Sequence, residues 1–182
     1  MELILVNTPP KYGEQWWTDN IIHMLKGNLE VDSVKIITDS QFGGVYDKLR
    51  IFKDCKHIGT QYLYLDLDVL IKGDISHLLR TEFTLLEAWW RYPAHTPLNS
   101  SIMSWLGDCS YIYDKFMEDF DYNMVKYYRG IDEFIYKEIK HCTYEKVCDT
   151  IRWDYGGGQY PVTLYNDSLE EFIKCKECLP YE

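Results

Sequence analysis

Apolar positions fall into short runs of two kinds along the first three quarters of the chain. Leu3 to Val6, Val34 to Thr38 and Tyr62 to Leu65 are brief, largely apolar stretches of the length and composition of buried strands. Between them the spacing changes to that of helices. Glu14 to Lys26 places Trp17, Ile21, Met24 and Leu25 near one face, and Tyr46 to Ile58 turns Leu49, Phe52 and Ile58 inward with Lys48, Arg50, Lys53 and Lys56 mostly outward. Strands that alternate with helices predict an α/β chain with a mostly parallel central sheet flanked by helices.

Further along, Phe83 to Trp90 and Ser101 to Trp105 read as strands, and Asp108 to Phe120 and Asp132 to Ile139 as helices. Asp74 is placed to cap a short helix from Ile75 to Leu79, and Asp132 to cap its own helix. Tyr160 to Tyr165 predicts a last strand and Ser168 to Cys178 a last helix. Gly156-Gly157-Gly158 marks a loop that is no phosphate loop, because no Gly-Lys-Ser/Thr follows. Neither a repeat nor a linker interrupts residues 1–182, so a single domain is expected.

The most informative stretch is Tyr62-Leu63-Tyr64-Leu65-Asp66-Leu67-Asp68. An apolar run stops at two carboxylates separated by one leucine, and in an extended chain alternate side chains share a face. Two buried acids without partners are costly unless a cation sits between them, which makes Asp66 and Asp68 candidate ligands of a divalent metal. With 16 Asp in 182 residues, chance alone supplies about one Asp-x-Asp. Asp119-Phe120-Asp121, in a polar stretch, is that chance match and reads as a solvated helix end. Only the first pair closes a strand, and ligands of open α/β sheets bind where strands end. The plainer alternative makes Asp66 and Asp68 caps of the turn before Asp74.

A net charge of −10 argues against a nucleic-acid partner, since phosphate backbones repel an acidic surface. A nucleotide remains compatible, because a metal and one or two basic residues offset a diphosphate locally. No apolar run approaches the ~20 residues of a membrane span, and the first residues lack the basic end of a signal peptide, so a cytoplasmic location is expected. The six cysteines are then expected to be reduced. Cys175-Lys176-Glu177-Cys178 has zinc-knuckle spacing, but Cys142 and Cys148 stand too far apart to complete the pattern well.

Several pieces stand in a fixed order: Val34 to Asp39, Tyr46 to Phe52, Tyr64 to Val69, Gly73-Asp74-Ile75, Leu98 to Met103, and Gly130-Ile131-Asp132-Glu133. This series resembles the small bacterial and viral nucleotide-sugar glycosyltransferases of the GT-A fold, akin to glycogenin and the lipopolysaccharide galactosyltransferases, over roughly residues 3 to 139. The resemblance implies a single GT-A (Rossmann-like) domain that moves a sugar from a nucleoside-diphosphate donor, UDP above all, to a hydroxyl of a glycan or other acceptor. Mn²⁺ or Mg²⁺ is the implied cofactor, and host cytoplasm the implied location if the source is viral. It also implies roles. Asn7, Thr8 and Tyr12 would hold the base, Asp39 would hydrogen-bond it, and Lys48 would reach the nucleotide sugar or a phosphate. Asp66 would touch donor and metal, Asp68 would ligate the metal, and Asn99 and Ser100 would lie beneath the transferred sugar that Asp132 contacts.

Bland roles stand beside these: loop packing for Tyr12, a solvated helix position for Lys48, a turn after Pro97 for Asn99, a helix cap for Asp132. The sequence departs from the family in carrying Asp132-Glu133 instead of Asp-Gln. It also lacks the late His-x-x-Gly-x-x-Lys that supplies a third metal ligand, leaving Asp154 or water for that place. Three other readings compete. A haloacid-dehalogenase-like phosphohydrolase would use Asp66 as nucleophile and Asp68 as acid, but two strands precede the pair here. An EF-hand fails because its sixth and twelfth positions are Ile71 and His77. A non-catalytic sugar- or nucleotide-binding domain is the third.

Overall fold

The computed structural model describes residues 1–87 and 96–144, together with the backbone of two strands at 151–153 and 162–164. β1 (Glu2–Val6) lies between β2 (Ser33–Ile37) and β3 (Gln61–Leu65), parallel to both. α1 (Gln15–Leu25) joins β1 to β2, and a 3-10 turn (Gly44–Lys48) running into α2 (Leu49–Asp54) joins β2 to β3. β4 (Val69–Ile71) follows immediately, then β5 (Thr84–Glu87) and the long β6 (Leu98–Leu106). Three helices come next, α3 (Ser110–Met117), α4 (Phe120–Lys126) and α5 (Ile131–Glu138), and then β7 (Cys142–Thr143).

The main sheet runs β2-β1-β3-β6-β5-β7. Three of its five pairings are parallel, as expected; β6 is the exception, antiparallel to both β3 and β5. A second sheet joins β4 to β8 (Ile151–Trp153) through β9 (Val162–Leu164), the latter falling inside the predicted last strand.

Alternation along β1 and β3 divides the core into two layers. Leu3, Leu5, Leu63 and Leu65 pack with Trp17, Ile21 and Leu25 of α1. Ile4, Tyr62 and Tyr64 pack on the opposite face with Phe52, Phe116 and Phe134 from α2, α3 and α5. Phe116 and Phe134 meet edge to face with centroids 4.9 Å apart, so truncating either to alanine costs about 3–5 kcal/mol.

Several expectations change. The second helix stops at Asp54, and Ile58 lies beyond it, 94% exposed instead of inward. Lys48 points in, not out, its side chain only 14% exposed. The predicted helix from Asp108 to Phe120 is two helices, α4 starting afresh after Asp119. Asp119 and Asp121 are both exposed, as a chance motif should be. Gly130, at φ 120°, takes the N-cap position of α5, which puts Asp132 in the first turn; a side chain on Gly130 would meet Val45 at 3.1 Å. Asp74 accepts from Ser76 N at 2.8 Å, but the expected helix is only a 3-10 turn, Ser76–Leu78, whose N-cap position is Ile75 and not Asp74. Cys55, Cys109 and Cys142 are free thiols. Gly156 to Gly158, the last predicted helix, Cys148, Cys175 and Cys178 lie outside the described residues.

Candidate active site

β1, β2 and β3 are parallel, so their carboxyl ends open on the same side of the sheet. Asn7 follows β1 and donates its backbone N–H to Ile37 O of β2 at 2.8 Å, closing one flank. The loop from Asn7 to Glu14 folds back on itself. Asn7 Oδ1 accepts from Gly13 N at 2.7 Å, and its Nδ2 donates to Glu14 O at 2.9 Å. Both polar ends of Asn7 are therefore engaged in shaping the loop. Thr8 is buried in the same loop and its carbonyl accepts from Tyr12 N at 3.2 Å.

This loop carries Lys11 and Tyr12 to Asp68. Lys11 Nζ lies 2.8 Å from Asp68 Oδ2, and Tyr12 Oη donates to Oδ1 at 3.0 Å. Asp66 is gripped from the other face. Lys48 Nζ is 2.8 Å from its Oδ1 and 3.0 Å from its Oδ2, and Tyr64 Oη donates to Oδ1. Lys48 also donates to Ser100 Oγ at 3.2 Å, and Asp66 N donates to Ser101 O at 2.8 Å, which ties β6 into the cluster. The expectation that the two acids have no partners is thus corrected: each buried carboxylate has an ammonium, brought from a distant part of the chain.

Their convergence has a different origin from the one alternation suggests. Leu67 and Asp68 form a turn closed by Val69 N donating to Asp66 O at 3.3 Å, and β4 then pairs in the second sheet. Electrostatics separate the two acids. Burial opposes the charge on Asp66, but the Lys48 ammonium and hydrogen bonds from Lys48 and Tyr64 outweigh it and hold the carboxyl below its usual range. Burial and then the charge of Asp66 push Asp68 above that range, against Lys11 and Tyr12. Burial and the same two carboxylates drive the Tyr12 phenol far up, so it serves as a donor throughout.

The remaining predicted residues divide. Ser100 joins the cluster through Lys48. Asn99 is buried beside it in β6, its Oδ1 accepting from Ser101 N at 3.0 Å; both belong to the strand, which begins at Leu98, and not to a turn. Asp39, past the end of β2, is 78% exposed and paired with Arg50 Nη1 at 2.8 Å, which with that hydrogen bond keeps its carboxyl below the ordinary value. Asp132 stands at the start of α5, a helix that packs on both β6 and the Gly44–Lys48 turn.

Sequence reasoning missed Lys11, Tyr64 and Asp47. Tyr64 was findable, since it precedes Asp66 by two on the same face of β3. Asp47 is fully buried and binds the loop after β2, accepting from Ser40 Oγ at 2.7 Å, Gln41 N at 2.8 Å and Phe42 N at 2.9 Å.

Among the described residues, no group of three or more His, Cys, Asp and Glu gathers, so within them Asp66 and Asp68 would hold a metal together with oxygens from ligand and water. Their donor set still fits a hard dication. Burial, and after it the neighbouring charge of Asp66, raise the Asp68 carboxyl, and a shared cation would offset both. Asp154 lies outside the described residues.

No protein-family model matches the sequence, and no curated protein does. Solved structures do. A glycosyltransferase involved in glycosylation of the major capsid of PBCV-1 superposes with TM-score 0.69 at 10% identity, over 97% of this chain and 99% of that one. LgtC, a galactosyltransferase solved with donor and acceptor sugar analogs, gives 0.63 at 11% identity, over 100% of this chain and 97% of that one. GlyE of Streptococcus pneumoniae gives 0.53 at 10% identity, with 79% of this chain covering 45% of that one. Sheet order, crossovers and these superpositions agree: the chain has the GT-A-like fold of the glycosyltransferases.

Proposed function

We propose that this chain is a metal-dependent glycosyltransferase that moves a sugar from a nucleoside-diphosphate donor, UDP above all, to an acceptor hydroxyl. What carries the reading is the placement of Asp66 and Asp68 in a turn at the carboxyl end of β3, between a loop after β1 and the polar start of β6. Asp66 and Asp68 would hold Mn²⁺ or Mg²⁺, which supplies Lewis-acid neutralisation of the charge that develops on the leaving diphosphate.

The chain's own groups have complementary tasks. Lys48 keeps Asp66 ionised and oriented while presenting positive charge to a phosphate. Tyr12, edge-on to Trp17 with centroids 5.0 Å apart, fixes Asp68 and offers a ring beside the base. Asn7 and Thr8 act by shaping the loop that carries Tyr12. Asn99, Ser100 and Asp132 would contact the transferred sugar, and Asp39 would hydrogen-bond the base.

The test is hydrolysis and transfer of nucleotide sugars in Mn²⁺. Asp68→Ala is expected to abolish both and to lose metal-dependent binding of UDP, with the fold intact, whereas Asp119→Ala does nothing comparable. Unaltered UDP affinity in Asp68→Ala sinks the reading. One observation favours a second reading, a non-catalytic binding module: both carboxylates are already balanced by lysines. Metal-independent binding without turnover in the wild type would select it.

A further inference from the structure

Asp68 and Asp66 are paired by lysines of very different character. Lys48 is anchored: its side chain is 14% exposed, it touches both oxygens of Asp66, donates to Ser100, and lies 5.3 Å from the centre of the Tyr64 ring. Lys11 is 55% exposed, engages only Oδ2 of Asp68, and otherwise leans on the Tyr12 ring at 5.1 Å. With Tyr12 Oη on Oδ1, both oxygens of Asp68 are engaged. A dication bound directly to Asp68 therefore meets an ammonium on the same carboxylate, and the repulsion falls on the group that is free to move. A lysine stem of four carbons, rooted in the loop after β1, can swing without unfolding anything, because its head already lies at the solvent edge.

We propose that Lys11 is an exchangeable counterion: it neutralises Asp68 in the absence of metal, gives way to the divalent cation, and passes its ammonium to the diphosphate of the donor. The inference rests on the glycosyltransferase reading and deepens it by adding a positioning residue. It predicts effects of opposite sign on two ligands, which a merely structural lysine does not produce.

Isothermal titration with MnCl₂ alone, and then with UDP in saturating MnCl₂, separates them. In Lys11→Gln, Mn²⁺ is expected to bind about tenfold more tightly because its competitor is gone. UDP is expected to bind about threefold more weakly, because one charge-assisted contact to phosphate is lost. Lys11→Arg, which keeps the charge, should return both constants toward wild type. The melting temperature of each variant is read alongside, and little change is expected at so exposed a side chain. Unchanged or weaker Mn²⁺ binding in Lys11→Gln, with wild type binding Mn²⁺ normally, overturns the exchange and leaves the enzyme reading standing. Unchanged or tighter UDP binding likewise overturns it. If wild type binds no Mn²⁺ with or without UDP, the metal-dependent reading fails and this inference fails with it.

Discussion

Lys48 holds one end of a buried pair whose other end is Asp66, with 14% and 11% of the two side chains exposed. Removing one partner of such a pair leaves an uncompensated buried charge, so Lys48→Met should destabilise the fold by about 3 kcal/mol or more at pH 7. The pH dependence follows from the depressed carboxyl of Asp66. Its contribution is fully present above the unfolded value near 3.9 and is lost as pH falls through the lower folded value. The gap between wild type and Lys48→Met in urea melts should therefore narrow below about pH 4; a gap that is constant with pH would mean that Lys48 acts by packing alone. Asp132 tests the other side of the site. In the first turn of α5 its charge is worth about 0.3–1 kcal/mol against the helix dipole. Asp132→Asn should cost no more than that in stability and keep UDP binding, yet lose most sugar transfer. Transfer at the wild-type rate would reduce Asp132 to a helix residue.

At the scale of elements, the Gly44–Lys48 turn is the piece on which the site depends most. It delivers Lys48, and its Asp47 binds the loop that follows β2. Burial disfavours the Asp47 charge, but hydrogen bonds from Phe42 and Gln41 N–H and from the Ser40 and Thr8 hydroxyls more than offset it. Gly43 at φ 83° and Gly44 at φ 55° let the chain curl around that carboxylate, a conformation L side chains rarely adopt. Asp47→Ala should strand two or more N–H groups and cost about 2–4 kcal/mol, read as a lower urea midpoint. Exchange of the Gln41 and Phe42 amides should rise with it, while amides of β6 stay protected until global unfolding. β6 begins at Leu98, ahead of the strand expected from Ser101, because Asn99 and Ser100, polar residues that break an apolar pattern, are satisfied within the fold.

At the scale of the whole molecule, a ligand that spans the loop after β1, the end of β3 and β6 links parts of the chain far apart in sequence. UDP at 100 times its dissociation constant in Mn²⁺ should add roughly 2.7 kcal/mol to the stability of the whole cooperative unit. A thermal scan checks this, and Asp68→Ala should abolish the shift. A chain of net charge −10 should also gain a little stability from moderate salt, which screens self-repulsion. Among the described residues, no helix is long and apolar enough to cross a membrane.

The sequence by itself determined the alternating α/β plan, the strand that ends at Asp66 and Asp68, and the order of the pieces that resemble a family. These are local properties: periodicity, strand length and a motif closing an apolar run are all written within a few residues. Only the tertiary structure decided who partners whom. Lys11 and Asp68 are 57 residues apart and Lys48 and Ser100 are 52 apart, and no local pattern specifies such contacts. It also decided that β6 enters antiparallel, that Lys48 turns inward, and that a turn, not strand alternation, brings the two acids together. The physical reason is one of reach. Backbone spacing fixes which face a side chain leaves from, but the price of burying a charge is settled by whatever charge the fold carries to it from elsewhere.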